Sequence, residues 1–410
     1  MTLAEVPLAL MLLGLTAYAV LGGADFGAAF WQLGARSGPR AEARREHAYR
    51  AMGPVWEANH VWLVFVLAIC WTAYPEAFAS IFSTLSVPLF IAALGIILRG
   101  TAYAVHAGTA REIERKAIDA VFSVSSILTP FALGAAIGGI ASGRVPVGNA
   151  EGDLVTSWVN PTSFAIGTIA VATGAYLAAV YLAGDARRAG LDDLAAAFRT
   201  RALAAGAVTG TLALAGLVVV SLDAEKLRDG LFDWPAIVAI VASAVAGLAT
   251  LELVRRARFE PARYLASAAV AAIVVGWALA QRPELLPGLT VEQAAAERPV
   301  LIATIVGVAS GAVVLVPSLA LLFGLVLRGR FDREAAETQV DSRAPTLALH
   351  RRPIAGVAIL ALAVGLPSTF LADGGPVQAV GVVALLAFVT FGSVALGAGA
   401  AAIAARDDYG

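Results

Sequence analysis

The run Gly53-Pro54-Val55-Trp56-Glu57-Ala58-Asn59-His60-Val61-Trp62 carries a carboxylate, an amide and an imidazole into a stretch that stays apolar as far as Tyr74. Pro54 suits the first turn of a helix, where its missing N–H leaves no partner unsatisfied. On that helix Glu57 and His60 lie three residues apart on one face, next to Asn59. A carboxylate beside an imidazole can take up and release protons, and such groups entering a bilayer are costly enough to imply a use. Trp56 and Trp62 flank them and fit the aromatic belt of a membrane interface. The bland alternative is a helix end at the headgroups, its polar groups simply wet. Other polar residues at helical spacing weigh against it. Tyr18, Gly22 and Asp25 share one face, as do Arg99, Tyr103 and His106, and Asp119, Ser123 and Ser126 follow on a later stretch.

The elements that must position these residues are membrane spans. With 59% hydrophobic and 14% charged residues and a mean hydropathy of +0.79, no water-soluble core could absorb the chain. Apolar runs of about 20 residues, enough to cross a bilayer core of about 30 Å, recur near 6–33, 54–74, 77–107, 117–142, 161–184, 200–222, 235–255, 263–281, 299–327, 353–372 and 376–405. The expected fold is therefore an all-α polytopic membrane protein of about eleven transmembrane helices, arranged as two four-helix-bundle-like halves plus extra helices. Tyr74-Pro75-Glu76 reads as a tight turn between the second and third spans. Pro88 and the excess length of the third suggest a kink or tilt. The first nine residues lack the basic region of a signal peptide, so the first span reads as retained. A net charge of −1 gives no reason to expect nucleic acid. The lone Cys70 excludes an internal disulfide or a cysteine-based metal site.

Basic residues set the orientation. Alternate loops and the tail hold 23 of the 29 Lys and Arg, and the opposite loops hold five, with Arg99 alone inside a span. The positive-inside rule then places the N-terminus outside and the C-terminus in the cytoplasm. In that frame Glu57, His60, His106 and Asp119 lie near the cytoplasmic mouth, with Asp25 and Arg99 roughly 15 Å deeper at ~1.5 Å per residue. The series Glu57, Asp25, His60, Arg99, Tyr103, His106, Asp119 and Ser123 reads as a polar ladder through the first four spans. If Arg99 touches the Asp25 carboxylate, that pair is structural and not a relay. The later spans are plainer: Glu252 stands one turn before Arg255 and Arg256, as an interfacial salt bridge would, and the spacing of Gly134 and Gly138 suits close helix packing.

These residues resemble a family. Gly22-Gly23-Ala24-Asp25-Phe26-Gly27, then Gly53 to Leu63, then Pro75-Glu76 and Leu98-Arg99-Gly100 resemble, in that order, the motifs of subunit II of cytochrome bd-type quinol oxidases. Leu286 to Ala296, followed by a span and Arg328-Gly329-Arg330, is similar to the family's final loop and ninth helix. Some positions depart from the pattern. Gly22-Gly23-Ala24 lacks its first acid, Glu57 stands for the usual Asp, Ala58 for Gly, and His60 for Glu or Gln. The resemblance divides the chain into an oxidase-like domain over 1–330, a cytoplasmic linker over 331–352, and an added hairpin with a short tail over 353–410.

The resemblance implies a multi-pass protein of the cytoplasmic membrane that is not catalytic alone. Its partner, subunit I, would bind the haems and quinol and reduce oxygen to water. This chain would ligate no haem or metal. It would support the partner, line a proton route from the cytoplasm, and, as in some members, hold a structural quinone or lipid beside small single-helix subunits. Trp56, Asn59, Trp62, Gly27 and Pro54 would be motif residues of structural use. Two other readings stay open at this stage. A proton-coupled secondary transporter would need broken helices and a midplane site. A b-type cytochrome would need His60 and His106 as its ligand pair.

Overall fold

Helix formation here follows from long apolar runs, since backbone groups in lipid must be satisfied within their own segment. In the computed structural model the described residues are 2–33, 42–45, 47–48, 56–106, 112–327 and 351–370, with scattered positions between 376 and 391. The first span is α1 (Glu5–Ala17), a π-helical turn (Tyr18–Gly22) and α2 (Gly23–Leu33). After it come α3 (Trp56–Ala73), α4 (Pro75–Thr84), α5 (Ser86–His106), α6 (Glu112–Ala141) and α7 (Pro161–Arg188). Next are α8 (Asp192–Asp223), the short α9 (Glu225–Leu231), α10 (Trp234–Arg255) and α11 (Phe259–Gln281). A two-stranded hairpin, β1 (Glu284–Leu286) and β2 (Leu289–Thr290), leads into α12 (Val291–Ala294) and α13 (Arg298–Leu327). The last described helix is α14 (Arg351–Phe370).

Among the described residues eight helical stretches are long and apolar enough to cross a membrane, and a shorter apolar one covers Asn59–Ala73. The chain is thus an all-helical, multi-pass membrane protein. Most of the run at 376–405, expected as an eleventh span, lies outside the described residues. The chain divides into two compact units, Met1–Leu315 and Val316–Gly410. In the first, α7 packs most extensively on α8, α10 on α11, α5 on α6, and α2 on α7.

The long third span expected over 77–107 is two helices. Helix α4 ends at Thr84, Leu85 leaves helical geometry with φ −97° and ψ 23°, and α5 starts at Ser86. Pro88 explains the position of the break. It has no N–H for the Thr84 carbonyl four residues back, and its ring clashes there. Leu85 fills the corner, fully buried against Tyr74 and Val145.

Small residues set the helix spacing. A Cβ on Gly27 would lie 1.9 Å from the Gly174 carbonyl oxygen, so α2 and α7 meet backbone to backbone. Gly134 and Gly138 of α6 approach Gly167 and Ser163 of α7 in the same way, with virtual Cβ distances of 2.8 and 2.4 Å. Asn160 caps α7, its side chain accepting the Ser163 N–H at 2.9 Å ahead of Pro161.

The two ends of the bundle are tied differently. At one, Arg144 grips Asp223 in bidentate fashion (3.0 and 2.7 Å), and the same carboxylate accepts the Thr162 hydroxyl at 2.7 Å. Near it Tyr74, fully buried, donates to the Ala4 carbonyl at 2.5 Å. The Ala296 N–H reaches the Ala73 carbonyl at 2.8 Å, so the segment read as a final loop folds as a hairpin and capped turn against α3 and α4. At the other end Arg263 and Arg188 converge on Asp185, and Glu252 pairs with Arg255 and Arg256 as its spacing predicts.

Candidate proton-transfer site

The polar residues of the first spans meet at the π turn. One extra residue in that turn directs the Gly23 N–H to the Tyr18 carbonyl five residues back. The Leu21 carbonyl then accepts the Asn59 amide of α3 at 3.4 Å. The same amide nitrogen donates, in a short hydrogen bond, to Oδ2 of Asp25. Asn59, expected as a motif residue of structural use, is therefore the direct partner of the Asp25 carboxylate. Both side chains are buried.

His60 follows on α3. Its Nδ1 lies 3.5 Å from the Tyr18 hydroxyl, and its ring is 6.0 Å from those of Tyr18 and Phe26. Tyr18, Asp25, Asn59 and His60 thus form one cluster, with the π turn as its floor.

Arg99 of α5 closes the cluster. It is 2% exposed, and its Nη2 donates to the main-chain oxygen of Asp25 at 3.1 Å. The Arg99 charge also acts on the Asp25 carboxylate, and among the described residues its hydrogen bond to Asp25 is the one to the main chain. The guanidinium is placed over the rings of Phe26 (4.5 Å) and Phe122 (5.3 Å), which supply its cation–π surroundings. Sequence reasoning missed both rings, since a phenylalanine in an apolar run carries no mark of such a role.

The remaining expected residues are placed unevenly. Tyr103 and Asp119 are half-buried and engaged with neighbours, and Ser123 is buried on the same helix as Phe122. Ser125 and Ser126 both donate to the Phe122 carbonyl, at 3.0 and 2.6 Å. Trp62 stands edge-on to Phe65 at 6.3 Å. Glu57 and Trp56 belong to the first turn of α3 and His106 ends α5, but their side chains lie outside the described residues, as does all of Pro54. His47, expected in a loop, bonds the Leu182 carbonyl at 3.1 Å and packs on Phe198. No three His, Cys, Asp or Glu side chains among the described residues come together as a metal site.

An all-helical membrane bundle with a carboxylate, an amide and an imidazole at a helix distortion has groups chemically able to take up and release protons. Sequence comparison takes this further. The model of the family "Cytochrome bd terminal oxidase subunit II" matches residues 3–326. The chain belongs to that family, and is a subunit of a membrane terminal oxidase that pairs with a subunit I. It is 26% identical over 239 residues to a Bacillus subtilis (strain 168) protein provisionally named a cytochrome bd menaquinol oxidase subunit II, covering 57% of this chain and 67% of that protein. A second protein of that organism, cytochrome bd ubiquinol oxidase subunit 2, is 30% identical over 93 residues, 23% of this chain and 28% of its own length. Among solved structures, a chain of the bd oxidase from Geobacillus thermodenitrificans superposes with a TM-score of 0.67 at 25% identity, covering 80% of this chain and 99% of that one.

Proposed function

We propose that this chain is the non-haem subunit of a quinol-oxidising terminal oxidase, and that its Asp25 cluster passes protons from the cytoplasm toward the partner that reduces oxygen. The oxygen chemistry belongs to the haems of subunit I. This chain supplies polar groups across an apolar barrier. One observation carries the reading: the buried Asp25 carboxylate is held by Asn59, while Arg99 engages the Asp25 main chain and two aromatic rings. A buried carboxylate held by an amide can exchange its proton with a neighbour such as His60 through water, with the Arg99 charge nearby to steady its ionised form.

The reading includes the orientation and extent drawn from the sequence. Eleven spans run from an outer N-terminus to a cytoplasmic C-terminus in the cytoplasmic membrane. The oxidase-like domain covers 1–330, a linker 331–352 and an added hairpin 353–410, and Glu57, His106, Asp119, Tyr103 and Ser123 continue the route to the inner surface. The 23-to-5 distribution of basic residues supports it. A cysteine placed at Ser37 resists impermeant thiol reagents in intact cells if loop one is cytoplasmic, and labels readily if the orientation is reversed.

Asp25→Asn keeps the shape and the contact with Asn59 but removes the titrating proton. In the assembled complex it slows quinol-driven oxygen uptake severalfold while the haems remain reducible, and Glu57→Gln does the same. Wild-type turnover in both assembled variants leaves the subunit a scaffold. Loss of assembly in Asp25→Asn alone makes that carboxylate structural.

A further inference from the structure

Helix α8 carries Arg201, Ala205, Val208 and Leu212 along one face. The last three form one wall of an apolar cavity of about 420 Å³, closed by Phe30 and Trp31 of α2 and Phe131 of α6, among others. That volume falls in the range of about 300–1,000 Å³ usual for ligand sites. Two lining side chains have polar hydrogens, and both are used within the protein. Trp31 donates to the Ala175 carbonyl at 2.8 Å and Thr168 to the Phe164 carbonyl at 2.7 Å. The walls therefore suit a hydrocarbon chain and leave a polar ring without an anchor.

The mouth of the groove has the opposite character. The Arg201 guanidinium lies 5.8 Å from the ring centres of both Trp31 and Phe198, one turn from Ala205. Its one hydrogen bond among the described residues goes to Ala197 of its own helix at 2.9 Å. Arg44 is close enough for its charge to act on Arg201. Among the described residues neither arginine pairs with a carboxylate, although Arg187, Arg188, Arg255, Arg256 and Arg263 nearby all do. Two adjacent like charges repel, and an anion between them removes that repulsion. Basic sites between helices at the membrane surface take anionic headgroups for this reason.

We propose that the groove binds one anionic phospholipid, its acyl chain lying along α8 and its phosphate held between Arg44 and Arg201. The site is separate from the Asp25 cluster and requires nothing of the proton route.

Native mass spectrometry of the delipidated oxidase complex, titrated with phosphatidylglycerol and with phosphatidylcholine of the same chains, tests this. The wild-type complex retains one phosphatidylglycerol about tenfold more tightly than phosphatidylcholine, the scale expected for two arginines at a headgroup. Arg44→Gln with Arg201→Gln erases the preference, and Ala205→Phe, which fills the groove, weakens both lipids. Equal retention of the two lipids by the wild type overturns the proposal, a result that needs no variant to assemble. Displacement of the lipid by excess inorganic phosphate overturns it in favour of a free-anion site. Recovery of an isoprenoid quinone that is lost in Ala205→Phe but indifferent to both arginines overturns it in favour of a neutral ligand.

Discussion

Gly27 is where a single methyl group does most harm. Its virtual Cβ lies 1.9 Å from the Gly174 oxygen and 2.2 Å from the Gly174 carbonyl carbon, both main-chain atoms that cannot rotate away. Ordinary van der Waals contact begins at 3.4 Å, so Gly27→Ala must part α2 and α7 by about 3.4 − 1.9 = 1.5 Å. Overpacking of this kind costs about 1–3 kcal/mol, and rigid backbone on both sides puts it at the upper end. Because Asp25 is two residues away, the same displacement pulls its carboxylate from Asn59. Gly23, one turn earlier on the same interface, is the control: its virtual Cβ meets Leu177 at 3.8 Å and Gly174 at 4.0 Å, which is normal contact. Gly27→Ala therefore lowers the thermal midpoint of the purified complex and its oxygen uptake together, whereas Gly23→Ala leaves both near wild type. Equal behaviour of the two variants, in either direction, refutes the close-packing argument.

Asp223→Ala strands Arg144 and Thr162 and costs about 1.5–3 kcal/mol, the range for hydrogen bonds to charged groups, read as a lower thermal midpoint that Asp223→Asn restores only in part. Tyr74→Phe leaves the buried Ala4 carbonyl without its donor and costs about 1–3 kcal/mol, visible in the same assay with turnover per assembled complex unchanged. Glu284 gives a pH dependence. Lys226 at 3.0 Å and the Gly288 N–H hold its carboxyl below the usual glutamate range. A depressed folded pKa gives stability that is full above the unfolded value of about 4.3 and fades as pH falls through the folded one. The protection factor of the Gly288 amide, its exchange rate taken relative to the intrinsic rate at the same pH, accordingly falls in acid, and Glu284→Gln removes that acid sensitivity.

Much of the architecture is legible because lipid leaves the backbone few choices: an apolar run of sufficient length becomes a helix. The convergence of Asp25, Asn59, His60 and Arg99 is not: counting at ~1.5 Å per residue sets Asp25 and Arg99 well below His60, whereas Asn59, next to His60, bonds Asp25 directly and His60 and Arg99 both pack on Phe26. Nor is geometry finer than spacing. Pro88 is visible as a disturbance, but only counting back four residues to its clash with Thr84 locates the break at Leu85. Charge matches Arg99 to Asp25 and its charge does act there, but spacing does not reveal that its hydrogen bond goes to the Asp25 main-chain carbonyl or that two rings lie against the guanidinium. Asp223, at the end of α8, and Arg144, in the loop after α6, are 79 residues apart, and no local pattern joins them. Arg201 and Arg44 were legible only as part of a count of basic residues, because a lack of carboxylate partners is a property of the folded surface.

The π turn at Tyr18–Gly22 makes the first span a phase-shifted rod. A helix advances about 100° per residue, so the additional residue in that turn rotates everything beyond it relative to everything before. Deleting Val20 or Leu21 would shorten the span by only about 1.5 Å, a change that bilayer and loops absorb. It would also let the helix close into regular α geometry, turning Asp25 and Gly27 away from Asn59 and Gly174 by more than a quarter of a circle. Span length tolerates such an edit and rotational register does not. The register of the first span therefore depends on the count of residues between Ala17 and Gly23 as strictly as on their identity.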